Sequence, residues 1–368
     1  MKVYFDYQIF YLQKFGGISR YFIELSKELR KIEHCQPSLN VLIHQNNYVQ
    51  DKEIGKFLKS LYKFNPKLSV RIFRLLGRIN SLIRFFSLTL KSNIVYHETY
   101  YSHCLRKNQK HRVTTIHDMI PELFLSDKDE FKTLIQQKKE AIKNANAIIV
   151  VSESTKNDLV KFYPAYKDKI HVIYHGVSTL DINDVPIFES RKPFILYVGN
   201  RGNYKNFSVL LSAFINDKSI NEAFHLYCFG GGDFKKEEID SIKSHDLEDS
   251  VFQLSGDDSL LNSLYKSAFC FVFPSTYEGF GMPVLEAMAM HCPVICSNTS
   301  SLPEVVGDAA LLINPLNEKE IIDSIHVLIT NPELRDHLVR KGIQHIRKFT
   351  WKICAENTYN VYKTLLEV

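Results

Sequence analysis

Short β-rich runs alternate with longer amphipathic stretches along both halves of this chain. Strand, helix and strand in that order favour parallel sheets covered by crossover helices, not a sandwich or a helical bundle. In the first half the pattern predicts strands at Lys2–Phe5, Val41–His44, Ile94–His97, Val113–Ile116 and Ile148–Val151, with helices near Ser19–Arg30 and Lys132–Asn144. Tyr21, Phe22, Leu25 and Leu29 give the first of these helices an apolar stripe at helical spacing. From Thr179 to Arg191 the pattern dissolves into Asp181, Asn183, Asp184, Pro186 and Ser190, a turn-rich connector. The second half then predicts strands at Phe194–Val198, His225–Phe229, Val251–Leu254, Cys270–Phe273, Val294–Cys296 and Ala310–Ile313. Its helices are expected near Asn206–Phe214, Ser259–Ser267, Val284–Met290 and Glu318–Thr330. The resulting division is a first domain over 1–178, a linker over 179–192 and a second domain over 193–351. Two α/β halves of similar size read as doubly wound domains facing a cleft, with ligands at the carboxyl ends of the strands.

Composition narrows the class. A chain of 368 residues, 45% hydrophobic and 24% charged, has enough apolar surface for a large core and is unlike disordered or low-complexity sequences. Its longest apolar stretches, such as Ala147–Val151 and Ala268–Phe273, fall far short of the roughly 20 residues of a membrane-spanning helix. The run Lys2–Asp6 is too short for the core of a signal peptide, so the cytoplasm is the expected compartment. Cys35, Cys104, Cys228, Cys270, Cys292, Cys296 and Cys354 form no Cys-x-x-Cys pair and have no histidine partner at zinc-finger spacing, which argues against a disulfide or metal framework. The net charge is only +5, yet residues 51–91 hold ten Lys/Arg against two Asp/Glu, or +8, leaving −3 for the remainder.

The residues with chemistry lie in loops after predicted strands. Phe273 leads into Glu278, Gly279, Phe280, Gly281, Met282 and Pro283, and Glu286 follows about one turn into a helix. Gly279 and Gly281 permit close backbone approach to a ligand, and free amides at the helix start favour an anion or a ring of hydroxyls. Both glutamates also fit a plainer description, as a helix-start acid and a solvated helix residue. After Phe194–Val198, Gly199, Arg201 and Lys205 put two cations beside a candidate anion site, where a departing diphosphate needs them. Two exposed surface cations near a turn would look the same. His117 and Asp118 end a first-half strand, where a lone histidine is commonly structural. Gly16 and Gly17 stand between the first strand and first helix without Gly-x-Gly-x-x-Gly spacing, which counts against a dinucleotide site. Gly230, Gly231 and Gly232 fit a plain loop as well as a nucleotide pocket.

The stretch from Glu278 to Glu286 resembles the Glu-x7-Glu motif of retaining family 4 glycosyltransferases. The resemblance continues through Pro293-Val-Ile, Ser300-Ser-Leu-Pro-Glu304 and Gly307-Asp308-Ala-Ala. It extends to Lys205-Asn206, which matches bacterial mannosyltransferase-like members, and to His117-Asp118 before Ile120-Pro121. Further matches are Val151-Ser-Glu-Ser-Thr, His175-Gly-Val and Phe229-Gly-Gly-Gly-Asp233. It is strong from Phe194 to Pro315 and poor from Gln45 to Ser92. It implies a GT-B fold, two Rossmann-like domains with the acceptor in the first and the nucleotide sugar in the second, and a last helix, 352–368, that packs back on the first domain. The roles it implies place Glu278 and His117 on the donor sugar, Glu286 on the ribose, and Lys205 with Arg201 on the diphosphate. Gly16, Gly17, Gly199, Gly230, Gly279, Phe280, Gly281 and Met282 would line the donor. Tyr204 stands where many relatives carry a second basic residue.

The activity so implied is transfer of a hexosyl group, mannosyl or related, from a nucleotide diphosphate sugar to an acceptor hydroxyl with retention. A GDP-sugar is favoured over a UDP-sugar, and no metal or other cofactor is expected, since the cations replace one. A nucleotide-sugar isomerase and a non-catalytic sugar-nucleotide-binding scaffold remain as alternatives on the same fold. The expected setting is O-antigen or lipopolysaccharide assembly on a lipid-linked saccharide. Residues 51–91, where lysines and arginines interleave with aromatic and aliphatic residues, are expected to bind an anionic membrane surface at the inner face of the cell membrane. Helices packed against the first domain with a solvated basic face are the alternative there, and nucleic acid is not an expected partner.

Overall fold

The computed structural model describes residues 1–39, 44–49, 94–101 and 111–367. The expected strand Val41–His44 and the basic stretch 51–91 lie outside these residues, except for His44. The chain divides into two compact units, Met1–Gly176 with Trp351–Val368, and Val177–Thr350.

In the first unit, β1 (Lys2–Phe5), β2 (Gln36–Leu39), β3 (Ile94–Glu98), β4 (Arg112–Ile116), β5 (Ala147–Val150) and β6 (Ile170–Val172) form a parallel sheet in the order β2-β1-β3-β4-β5-β6. Strands β4 and β5 are buried along their whole length, as a parallel sheet covered on both faces requires. The edge strand β2 reads Gln-Pro-Ser-Leu and alternates between exposed and half-buried. Its proline costs little at an edge that needs no further ladder bond. The helix Gly17–Leu29 buries Tyr21, Phe22, Leu25 and Leu29, the stripe visible in the sequence, and the helix Trp351–Glu367 packs against it. That last helix is also tied to the sheet: His97 Nδ1 lies 2.5 Å from the Tyr362 hydroxyl and His97 Nε2 lies 2.7 Å from Thr115 Oγ1.

In the second unit, β7 (Phe194–Val198), β8 (His225–Phe229), β9 (Val251–Leu254), β10 (Cys270–Phe273), β11 (Val294–Ser297) and β12 (Leu311–Ile313) make a second parallel sheet in the order β12-β11-β10-β7-β8-β9. The chain winds outward from β7 through β8 and β9, then returns to lay β10 on the other side of β7. That reversal opens a crevice beyond the carboxyl ends of β7 and β10. In the first unit the corresponding reversal lies between β1 and β3. The second-unit core is built from Ile195, Tyr197, Leu226, Cys228, Val272 and Ile295 on the strands, with Phe207, Leu210 and Phe214 from the helix Phe207–Asn216.

The polar stretch expected as a linker over 179–192 clusters with the second unit. Lys266 Nζ donates to the carbonyls of Ile182 and Val185 at 2.7 and 2.6 Å, and the Ser267 hydroxyl accepts from Phe188 N–H at 2.8 Å. The Phe188 ring meets the edges of Phe194 and Tyr227. Side chains some eighty residues further along the chain therefore fix this stretch, which composition alone does not reveal.

Candidate active site

The second-unit residues gather at the crevice between β7 and β10. Beyond β7, Gly199 takes φ +130° and its N–H donates to Phe229 O at 2.9 Å. The chain then makes a short turn over Asn203–Lys205 and enters the helix Phe207–Asn216 through Asn206 at φ +54°. Beyond β10, Thr276 donates from its N–H and its hydroxyl to Tyr204 O, at 2.7 and 3.1 Å. Two loops far apart in sequence are thereby pinned together, and Tyr204 takes part through its backbone.

This pinning brings Lys205 Nζ to 2.6 Å from Glu278 Oε1. Both side chains are mostly buried, at 17% and 10% exposure, so each neutralises a charge that would otherwise be costly to keep there. The Lys205 ammonium also lies 5.3 Å from the Phe273 ring centre. Ser300 Oγ accepts from Glu278 N–H at 2.9 Å, and Ser301 Oγ donates to the carbonyls of Glu278 and Phe280 at 2.9 and 3.0 Å. Gly281 caps the helix Met282–Ala289 with φ +96°, and a Cβ there would lie 2.6 Å from Leu302 Cδ2. The angle favours glycine, and a Cβ would also push the Leu302 side chain aside. Met282 and Glu286 sit in the first turns of this helix, with Pro283 at its start.

Arg201 is placed differently from the open cation expected beside Lys205. Its guanidinium is buried and donates to the carbonyls of Gly230, Gly232 and Asp233 and to Glu238. Protein acceptors occupy four of its N–H donors, so in this arrangement Arg201 braces the glycine loop. Glu238 was not singled out in the sequence, where an acid in the first turn of an exposed helix gives no signal of its partner.

The first-unit candidates form a separate group. His117 follows β4 and is buried against Tyr21 and Phe22, with its ring stacked on His175 at 5.7 Å between centres. Its Nε2 is buried without a hydrogen-bond partner. Burial, with His175, His97 and Lys138 adding like charge, holds its pKa well below the ordinary value, so it is a neutral imidazole with one unfilled ring nitrogen. Asp118 turns away from it: Oδ1 accepts from Ile120 N–H at 3.1 Å and its carbonyl accepts from Lys138 Nζ at 3.0 Å. Gly17 opens its helix with nothing within 4 Å of a built Cβ, and Gly16 precedes it in extended conformation. Asp6, also missed in the sequence, sits at the β1/β3 reversal. Its Oδ1 accepts from Thr99 N–H at 3.1 Å and its Oδ2 from the Tyr96 hydroxyl at 3.0 Å, which staples the two strands. Among the described residues no three His, Cys, Asp or Glu side chains are grouped to hold a metal, and no helix is long and apolar enough to cross a membrane.

The family model "Glycosyltransferase Family 4" matches residues 15–179, and the model "Glycosyl transferases group 1" matches residues 181–345. O-antigen chain mannosyltransferase B of Escherichia coli is 29% identical over 95% of this chain and 96% of its own length. O-antigen chain mannosyltransferase RfbU of Salmonella typhimurium is 30% identical over 67% of this chain and 70% of its own. Among solved structures, sucrose-phosphate synthase from Thermosynechococcus elongatus superposes with a TM-score of 0.76 at 18% identity, covering 100% of this chain and 99% of that one. Two Rossmann-like parallel sheets, one matching model in each half and an O-antigen mannosyltransferase alignable nearly end to end together show that this chain belongs to the group 1 and family 4 glycosyltransferases of GT-B fold.

Proposed function

We propose that this glycosyltransferase transfers a mannosyl or closely related hexosyl group, with retention, from a GDP-sugar to a hydroxyl of a lipid-linked saccharide during O-antigen assembly at the inner face of the cell membrane. The observation that carries the reading is the Lys205–Glu278 pair at the β7/β10 crevice, beside the amides that open the helix Met282–Ala289. The names of the two enterobacterial relatives support the mannosyl and O-antigen parts. When donor enters, Lys205 exchanges Glu278 for the diphosphate and Glu278 turns to the sugar hydroxyls, while Glu286 takes the ribose. The acceptor oxygen bonds to the anomeric carbon as the bond from that carbon to the diphosphate breaks. The acceptor proton passes to the departing diphosphate, so no protein nucleophile is needed and fixed charges carry the catalysis without a metal.

The test is product analysis by mass spectrometry with GDP-mannose, UDP-hexoses and lipid-linked saccharides, with and without a chelator. A hexose added to the acceptor from GDP-mannose, undiminished by chelation, supports the reading. Turnover without acceptor would point to isomerisation, and donor binding without turnover to a scaffold. In the same assay Lys205→Ala should lower turnover about a hundredfold, because an oriented charge on the leaving group acts mainly in the transition state.

A further inference from the structure

The loop after β8 is braced by a side chain that the donor chemistry leaves without a task. Gly230, Gly231 and Gly232 take φ of +83°, +73° and +71° in succession, a path open to glycine and strained for other residues. Arg201 Nη1 donates to Gly230 O at 2.9 Å, and Nη2 donates to Gly232 O at 2.8 Å and Asp233 O at 2.6 Å. Arg201 Nε donates to Glu238 Oε2 at 3.2 Å. Four of the five guanidinium N–H groups are thus engaged. The same Glu238 oxygen accepts from Lys235 N–H at 2.7 Å, which closes the first turn of the helix Lys236–Lys243. Phe234 lies against the guanidinium at 4.8 Å.

A planar trans peptide points its N–H opposite its C=O, and no peptide in the described residues is cis. With the carbonyls of Gly230, Gly232 and Asp233 drawn toward Arg201, the N–H groups of Gly231, Asp233 and Phe234 face away from it. The loop also closes on the β7 turn: a Cβ on Gly231 would lie 2.8 Å from Gly199 O and 3.0 Å from Arg201 Nη1. Arg201 therefore sets which way the loop's donors point at the end of β8, next to the crevice.

We propose that Arg201, held by Glu238, is a positioning residue that aims the amides of Gly231, Asp233 and Phe234 at the donor nucleotide without touching the diphosphate itself. This rests on the donor-binding reading above. The two roles predict opposite signs at Glu238. If Arg201 met the diphosphate directly, weakening its protein partner would free a cation and tighten nucleotide binding. If it positions the loop, the same change slackens the brace and weakens binding.

The experiment is calorimetry of GDP and UDP with wild type, Arg201→Lys, Glu238→Gln and the double variant, together with steady-state kinetics and amide exchange of the loop. Arg201→Lys should weaken the preferred nucleotide about tenfold, since a single ammonium cannot span three carbonyls. Glu238→Gln should weaken it about threefold in the same direction, and the double variant should be no weaker than Arg201→Lys, as coupled residues are non-additive. Donor KM should rise by the same factors with kcat within about twofold, and exchange should speed up at residues 230–234 in both single variants. Tighter binding by Glu238→Gln, or near-normal affinity with a collapsed kcat in Arg201→Lys, overturns the proposal in favour of direct contact. Lower melting temperatures with unchanged nucleotide affinity overturn it in favour of a purely structural brace. A wild-type protein that binds neither nucleotide overturns the donor reading and the positioning role with it.

Discussion

Lys205 and Glu278 stand 73 positions apart and share one hydrogen bond, so each is the obstacle to the other's proposed task. Replacing Glu278 with Gln keeps the shape and removes the competing charge. GDP should then bind severalfold more tightly, since a partly buried pair of this kind is worth on the order of 1 kcal/mol. Turnover should fall about a hundredfold because the sugar loses its carboxylate. Titration calorimetry beside a turnover assay reads both, and weaker GDP binding would show that Lys205 is not held back by Glu278. The residue types at this site were legible because a strand, a glycine turn and a helix start occur in one short stretch. Partners were not. Nothing in the sequence around Arg201 announces that its acceptors are carbonyls some thirty residues away, and a cation beside a lysine naturally suggests a diphosphate. Asp6 and Tyr96 meet only because β1 and β3 are adjacent in the sheet.

Elements were legible where a clear apolar pattern marks them. Lys2–Phe5, Phe194–Val198, His225–Phe229, Val251–Leu254, Cys270–Phe273 and the helix Glu318–Thr330 have the bounds that their patterning predicts. The three-residue strand β6 and the polar edge strand β2 left no apolar run to find. The helices Glu153–Phe162 and Pro332–His345 were missed although Ser152 and Asn331 cap them through Thr155 N–H and Leu334 N–H. Those cap residues were signals within reach.

The buried His97, His117 and His175 should give the first unit a marked response to acid. Burial holds His97 and His175 down to about 3, and His117 well below its ordinary value. In the unfolded chain each would take a proton near pH 6.5. Below that pH the unfolded state binds protons that the folded state refuses, so stability should be flat above about 6.5 and fall as the pH drops toward 3. Each group contributes at most about 1.4 kcal/mol per pH unit across its window. Urea melts at pH 7.5 and 5 check the sign, and His97→Gln should make the dependence shallower. At neutral pH, Tyr362→Phe should cost about 1 to 1.5 kcal/mol by taking away the hydroxyl that meets His97. A loss confined to the first unit's transition would locate the effect in the last helix.

At the scale of the whole molecule, the first unit is discontinuous and the second is not. The last helix buries Trp351, Cys354, Ala355, Thr358, Val361 and Tyr362, and it packs on the helix that carries Tyr21, Phe22, Leu25 and Leu29. Ending the chain after Thr350 should therefore damage residues 1–176, far away in sequence, and spare 177–350. Limited proteolysis read by mass spectrometry should find new early cuts in the first unit with the second intact. Cuts concentrated in the second unit would contradict the assignment of the helix. The expected division into two α/β halves needed only the alternation of strands and helices, whereas the place of residues 351–367 depends on which surface lacks a cover, and no local pattern records that.

The return of residues 351–367 to the first unit also sets an order of events on the ribosome. Domains commonly fold as they emerge, the N-terminal one first. Here the unit that begins first cannot finish first, because its closing helix is translated only after all of 177–350. The second unit can be assembled while the unit before it still lacks that helix. Through that interval a nascent chain carries an open apolar surface, and the speed of translation across the second unit decides how long it stays uncovered.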